Sequence, residues 1–127
     1  MTVWHGSSDG VFAPEASTAR YCGLQQRQAG RAADCARVHL VPGMGHCGGG
    51  PATDQFNMLA SLVDWVERGQ APERVVAKAR GAGNAGSLSP ELPADWSAAP
   101  SPLLCPHPQV ARFTAGNPES AESFRCA

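Results

Sequence analysis

A chain of 127 residues with ten basic and eleven acidic side chains has the size of one domain and no charge excess that would select a polyanion. Nucleic acid is therefore not an expected partner, and neither is a membrane, because no apolar run reaches the length of a span. Five cysteines without a CxxC pair argue for disulfides and hence a secreted or periplasmic setting, and their odd number leaves one without a partner inside the chain.

The N-terminal MTVWHGSSDG has neither the basic start nor the apolar stretch of a signal peptide. Within it TVWH, residues 2–5, is β-branched and aromatic and runs into the turn cluster GSSDG, which predicts a short strand and then a loop. Pro14 leads into EASTARYCGLQQRQA, where Glu15 lies early and Arg20 and Arg27 lie later, the order a helix dipole favours. The expected helix covers about residues 14–28 and stops at Gly30. RVHLV, residues 37–41, is a second strand ended by Pro42 and Gly43. Strand, helix and strand in that order predict a parallel βαβ unit and an α/β fold.

LVPGMGHCGGGP, with five glycines, separates that strand from TDQFNMLASLVDWVERG, the clearest helical pattern in the chain. Thr53 or Asp54 is its expected cap, Phe56, Leu59, Ala60, Val63 and Val66 form an apolar line expected to pack on the sheet, and Gly69 is its stop. RVVAKA, residues 74–79, reads as an edge strand. From residue 81 to 108 Gly, Ala, Ser and Pro dominate without periodicity, as in a surface excursion. Cys105 and Cys126 bracket the C-terminal piece, and a disulfide there would close a loop of roughly twenty residues and contribute about 3 kcal/mol on the chain-entropy model. The chain divides accordingly into residues 1–80, an 81–104 loop, and a 105–127 closed segment.

Two residues carry the chemistry. Asp9 follows the first strand and His46 the second, and in α/β folds reactive groups gather beyond the carboxyl ends of parallel strands. A carboxylate at one strand end can hold the Nδ1–H of a histidine at the next, freeing Nε2 as a general base. The plainer reading of Asp9 is a turn former, and that of the glycines is room for positive φ and a close helix start. GMGHCG places glycines as in GxGxxG, but the acidic residue about twenty positions on, Asp64, falls inside a helix, so a dinucleotide site is disfavoured. Cys47 is too near its own histidine in sequence to be a nucleophile served by it. A metal site from His46, Cys47, Cys22 and Cys35 lacks ligand spacing; Cys22 and Cys35 are better read as a disulfide clip across the helix–strand connection.

HGSSDGVFAPEAST, VHLVPGMGHCGGGP, DQFNMLASLVDWVERGQAPERVVA and the C-terminal LLCPHPQVARF with FRC, in this order, resemble the C-terminal part of the tannase and feruloyl esterase family of α/β-hydrolases. The resemblance covers about residues 2–127 and is weakest over 81–102. It implies a Ser-Asp-His esterase in which Asp9 is the triad acid and His46 the base. It also implies that Cys47 pairs with a cysteine beside the nucleophilic serine, and that Cys105 pairs with Cys126. In such hydrolases the serine precedes the acid, yet only eight residues precede Asp9 and no GxSxG occurs; GSLSP at 86–90 comes too late. The nucleophile elbow, and the lid domain that would hold the family's calcium, are therefore expected outside this chain, and no cofactor is expected on it.

The resulting expectation is the acid and base half of a carboxylic ester hydrolase for aromatic esters such as hydroxycinnamates or gallates, inactive alone. It would need the missing portion or self-association to cover an open sheet edge. The alternative is a short binding or interaction module that retains the end of the hydrolase fold.

Overall fold

The computed structural model describes residues 1–81, 88–97 and 99–127. The remaining part of the expected 81–104 loop, including Gly86 and Ser87 of GSLSP, lies outside the described residues. Strand β1 (Thr2–Gly6) pairs in parallel with β2 (Arg37–Val41), with helix α1 (Pro14–Arg27) crossing between them. The register places Val3 beside Val38, Trp4 beside His39, and Gly6 beside Val41.

Strand β2 is covered on both faces, and its two polar side chains are buried with partners, Arg37 over the Trp65 ring and His39 toward the Pro72 carbonyl. Val38 joins Tyr21, Ala32 and Ala36 under α1, with Val3 and Leu24 against them. Val41, on the opposite face, joins Met44, Ala52, Met58, Val75, Ala77 and Leu104 in the main core. Pro14 stands at the start of α1, and the chain leaves the helix through positive φ at Ala29 and Gly30.

The connection from α1 to β2 corrects one expectation: Cys22 and Cys35 are free thiols, both exposed, and form no clip. A side-chain amide closes the turn instead, since Gln25 Oε1 accepts from the Ala32 N–H at 2.8 Å and the Gln25 carbonyl accepts from Gly30 at 2.8 Å.

Helix α2 (Met58–Arg68) starts later than Thr53 or Asp54. Residue 55 is held extended by paired backbone bonds between Gln55 and Lys78, and the Asp54 carboxylate is bound elsewhere, so Asn57 becomes the cap and accepts from the Ala60 N–H at 2.9 Å. Gly69, at φ 70°, closes the helix in the left-handed region. Of the apolar line only Phe56, just before the helix, packs on the core and on Trp4 of β1; Leu59 and Val66 are 72% and 78% exposed and Val63 is exposed as well. Met58 in the core and Trp65 beneath the Arg37 guanidinium, 5.2 Å away, are one helical face, and their anchoring turns the other outward.

The expected edge strand is only β3 (Val75–Val76), and it belongs to a separate sheet with β4 (Leu103–Leu104). Leu103 and Leu104 are buried, so the end of the segment read as a surface loop is part of the core. The C-terminal piece is a β5 (Ala111–Phe113) and β6 (Phe124–Cys126) hairpin joined by the Cys105–Cys126 disulfide. It docks on β2, where the His107 N–H donates to the Val38 carbonyl at 2.6 Å and Pro106 bridges His39.

Candidate active site

The parallel register brings the loops after β1 and β2 off the sheet side by side, and hydrogen bonds from backbone amides tie them together. The Ser7 N–H donates to the Val41 carbonyl at 2.9 Å, the Ser8 N–H to the Met44 carbonyl at 3.0 Å, and the Gly43 N–H to Ser7 Oγ at 3.0 Å. Gly6 lies at the crossing, where an added Cβ would overlap the Met44 carbonyl.

On this platform His46 Nδ1 lies 2.9 Å from Asp9 Oδ2. The other oxygen, Asp9 Oδ1, accepts from the Val11 and Phe12 N–H groups at 2.8 and 3.0 Å. The His46 hydrogen bond, reinforced by these amides, holds the Asp9 carboxyl well below the usual carboxylate range. Asp9 is thus an anion at neutral pH, with its side chain only 4% exposed, while that of His46 is 44% exposed. A carboxylate can only accept, so His46 Nδ1 carries its proton and Nε2 has the free lone pair of a base. Among the described residues Nε2 has no partner, and the ring borders a cavity of about 340 Å³ walled by Trp4, Phe12, Met44 and Arg20. Phe12 tilts against the imidazole with ring centres 5.4 Å apart.

Cys47 follows the base as an exposed free thiol at φ 62°, a conformation that costs a non-glycine residue roughly 1 kcal/mol or more. Among the described residues no group of three or more His, Cys, Asp or Glu side chains is placed to hold a metal. Among those residues His46, Cys47, Cys22 and Cys35 are thus not brought together as ligands.

Three supports of the site were not read from the sequence. His5, at the end of β1, reaches Asp9 Oδ2 with Nε2 at 3.1 Å; its spacing of four from Asp9 was the available signal. Asp54 accepts from the Gly49 N–H at 2.9 Å and pairs with Arg80 at 2.8 Å. Burial raises the Asp54 carboxyl, but the Gly49 amide, Gln55 and Arg80 outweigh it and keep the group below its ordinary value. Glu91 accepts from the Gly50 N–H at 2.6 Å. Asp54 from just beyond the loop, and Glu91 from 41 positions away, thereby hold the far limb of the His46 loop.

Known proteins share this arrangement of sequence. The chain is 41% identical over 128 residues to a mono(2-hydroxyethyl) terephthalate hydrolase of Piscinibacter sakaiensis, covering 100% of this chain and 19% of that protein. It is 33% identical over 131 residues to a probable feruloyl esterase of Arthroderma benhamiae, covering 100% of this chain and 22% of that one. The chain therefore spans about a fifth of the length of these curated relatives. The crystal structure of an esterase from Aspergillus oryzae superposes with a TM-score of 0.75 at 22% identity, over 99% of this chain and 27% of that one, and shows the same fold. The model of the family "Tannase and feruloyl esterase" matches residues 1–127, and the chain belongs to that family.

Proposed function

We propose that this chain supplies the acid and base of a serine carboxylic ester hydrolase of the α/β-hydrolase type, with the nucleophilic serine on sequence outside these 127 residues. The observation that carries this reading is the 2.9 Å contact of His46 Nδ1 with an anionic Asp9 whose remaining oxygen is saturated by backbone amides. His46 Nε2 takes the proton of the serine as it attacks the ester carbonyl, and returns it to the leaving alcohol when the acyl-enzyme forms. Water then enters, gives a proton to the same nitrogen, and attacks the acyl carbon; the proton passes back to the serine as the acid departs. Asp9 keeps Nδ1 protonated throughout and stabilises the imidazolium.

The proposed substrates are aromatic esters. Trp4 and Phe12 give the cavity next to the base two aromatic walls, and relatives named for feruloyl and terephthalate esters favour the same class. Cys47, exposed beside the base, is proposed to pair with a cysteine outside the chain, so that a covalent bond fixes the base relative to the nucleophile. The Cys105–Cys126 disulfide supports a secreted or periplasmic location.

A fluorophosphonate probe tests the assignment directly. The 127-residue chain should remain unlabelled, whereas a longer protein that includes the serine should be labelled and should hydrolyse aromatic esters. Asp9→Asn in that protein should lower kcat by about 10⁴-fold, because the amide favours the wrong imidazole tautomer. Stoichiometric labelling of the short chain would overturn the placement of the serine, and an active Asp9→Asn enzyme would overturn the role of Asp9.

A further inference from the structure

Asp9 Oδ2 receives two imidazoles. Besides His46, it meets His5 Nε2 at 3.1 Å, and the His5 side chain is only 14% exposed. The same Nε2 lies 3.1 Å from the Phe12 carbonyl, while His5 Nδ1 lies 2.8 Å from Ser17 Oγ on α1.

These partners fix the proton. Both groups facing Nε2, a carboxylate and a carbonyl, are acceptors, so Nε2 must carry hydrogen. A neutral His5 then has a bare Nδ1, and the Ser17 hydroxyl donates to it. The ring can neither flip nor change tautomer without placing a lone pair against the Asp9 anion. A line of hydrogen bonds thus runs from α1 through Ser17 and His5 to the oxygen that receives the His46 Nδ1–H.

We propose that His5, locked by Ser17, is a positioning residue whose Nε2–H fixes Asp9 Oδ2 where the same oxygen meets His46 Nδ1. The inference rests on the reading of Asp9 and His46 as acid and base. Backbone amides restrain Oδ1 alone, and a carboxylate held at one oxygen still swings about its side-chain torsion, which is broad for Asp. His5 closes that freedom from the side opposite His46. The effect on the base is to keep its hydrogen on Nδ1 and its lone pair on Nε2.

Imidazole ¹⁵N shifts of His46 in the longer protein that includes the serine read this distribution, and amide spectra verify that each variant keeps the fold. Asp9→Asn should abolish the Nδ1–H preference. His5→Leu should reduce it about fivefold, the worth of one hydrogen bond. His5→Gln, which retains an N–H at a similar reach, should restore it to within about twofold of the wild type. Ser17→Ala leaves the ring in place but unlocked and should give a reduction of about twofold. An unchanged His46 in both His5→Leu and Ser17→Ala, with Asp9→Asn still abolishing the preference, would overturn the role of His5 and leave the acid–base pair standing. An unchanged His46 in Asp9→Asn would overturn the pair itself.

Discussion

At the Asp9–His46 corner, two loops whose key residues lie 37 positions apart are held by non-covalent contacts, whereas the C-terminal hairpin is closed by a covalent bond across 21 positions. The corner lies on a parallel strand pair whose β2 member is buried on both faces, so its loops inherit a rigid base. The hairpin has a small cluster of Leu103, Cys105 and Ala121 and keeps Phe113 exposed against Phe124, so burial alone gives it little order. Where a frame already exists, many bonds of about 1 kcal/mol each can specify a geometry. Where it does not, a cross-link removes the competing conformations instead.

The largest break in this contrast is expected at Gly50. Its φ is 81° and an added Cβ would overlap the Gly43 carbonyl, so Gly50→Ala should cost on the order of 4 kcal/mol and separate His46 from Asp9, as read by chemical denaturation and the His46 imidazole shifts. Reduction of Cys105–Cys126 is next: a loss of about 3 kcal/mol in denaturant midpoints, with the His46–Asp9 signals retained until the hairpin has detached.

His39 joins the two regions, because it lies on β2 and bridges Pro106. Its ring is fully buried, with Nε2 toward the Pro72 carbonyl at 3.1 Å and Nδ1 without a partner among the described residues. Burial disfavours the imidazolium and holds its pKa below the ordinary 6.5. The unfolded chain therefore binds the proton first, so the contribution of His39 is complete above about pH 6.5 and declines as the pH falls toward the lowered folded value. Thermal melts from pH 7.5 downward should show this slope, and His39→Leu should flatten it. The smallest effect is expected in neither region: Asn57→Ala removes the cap of α2 and should cost about 1 kcal/mol in a thermal melt without moving the His46 signals.

Local patterns announced the parts of this molecule that local physics decides. The β2 strand, the βαβ order and the Gly69 stop follow from β-branched runs, a proline and a glycine in the places their backbone preferences require. The pairing of Asp9 with His46 was legible because both follow strands of one unit. The start of α2 was not, since Asp54 looks like a cap until Gly49 and the distant Arg80 claim its carboxylate. Leu103 and Leu104 were hidden for a related reason: two residues carry no period, and only Val75 and Val76 make them a strand. His5 was read as the end of a strand, and its role becomes visible only when α1 brings Ser17 against its far side.

The pairing of Gly6 with Val41 has a consequence for how such a chain can change through evolution. Both loops leave the sheet at the same height, so the lengths of the two strands act as a gauge for the separation of carboxylate and imidazole. One residue inserted or deleted within either strand would displace its loop by about 3.3 Å, more than a hydrogen bond can absorb, and would also turn every following side chain to the other face. Side-chain identity along β1 and β2 is therefore open to substitution among residues that fill the same space, while their length is not. Insertions should accumulate in the Gly/Ala/Ser/Pro-rich sequence before β4, which belongs to neither strand of the gauge, and be purged between residue 2 and residue 9.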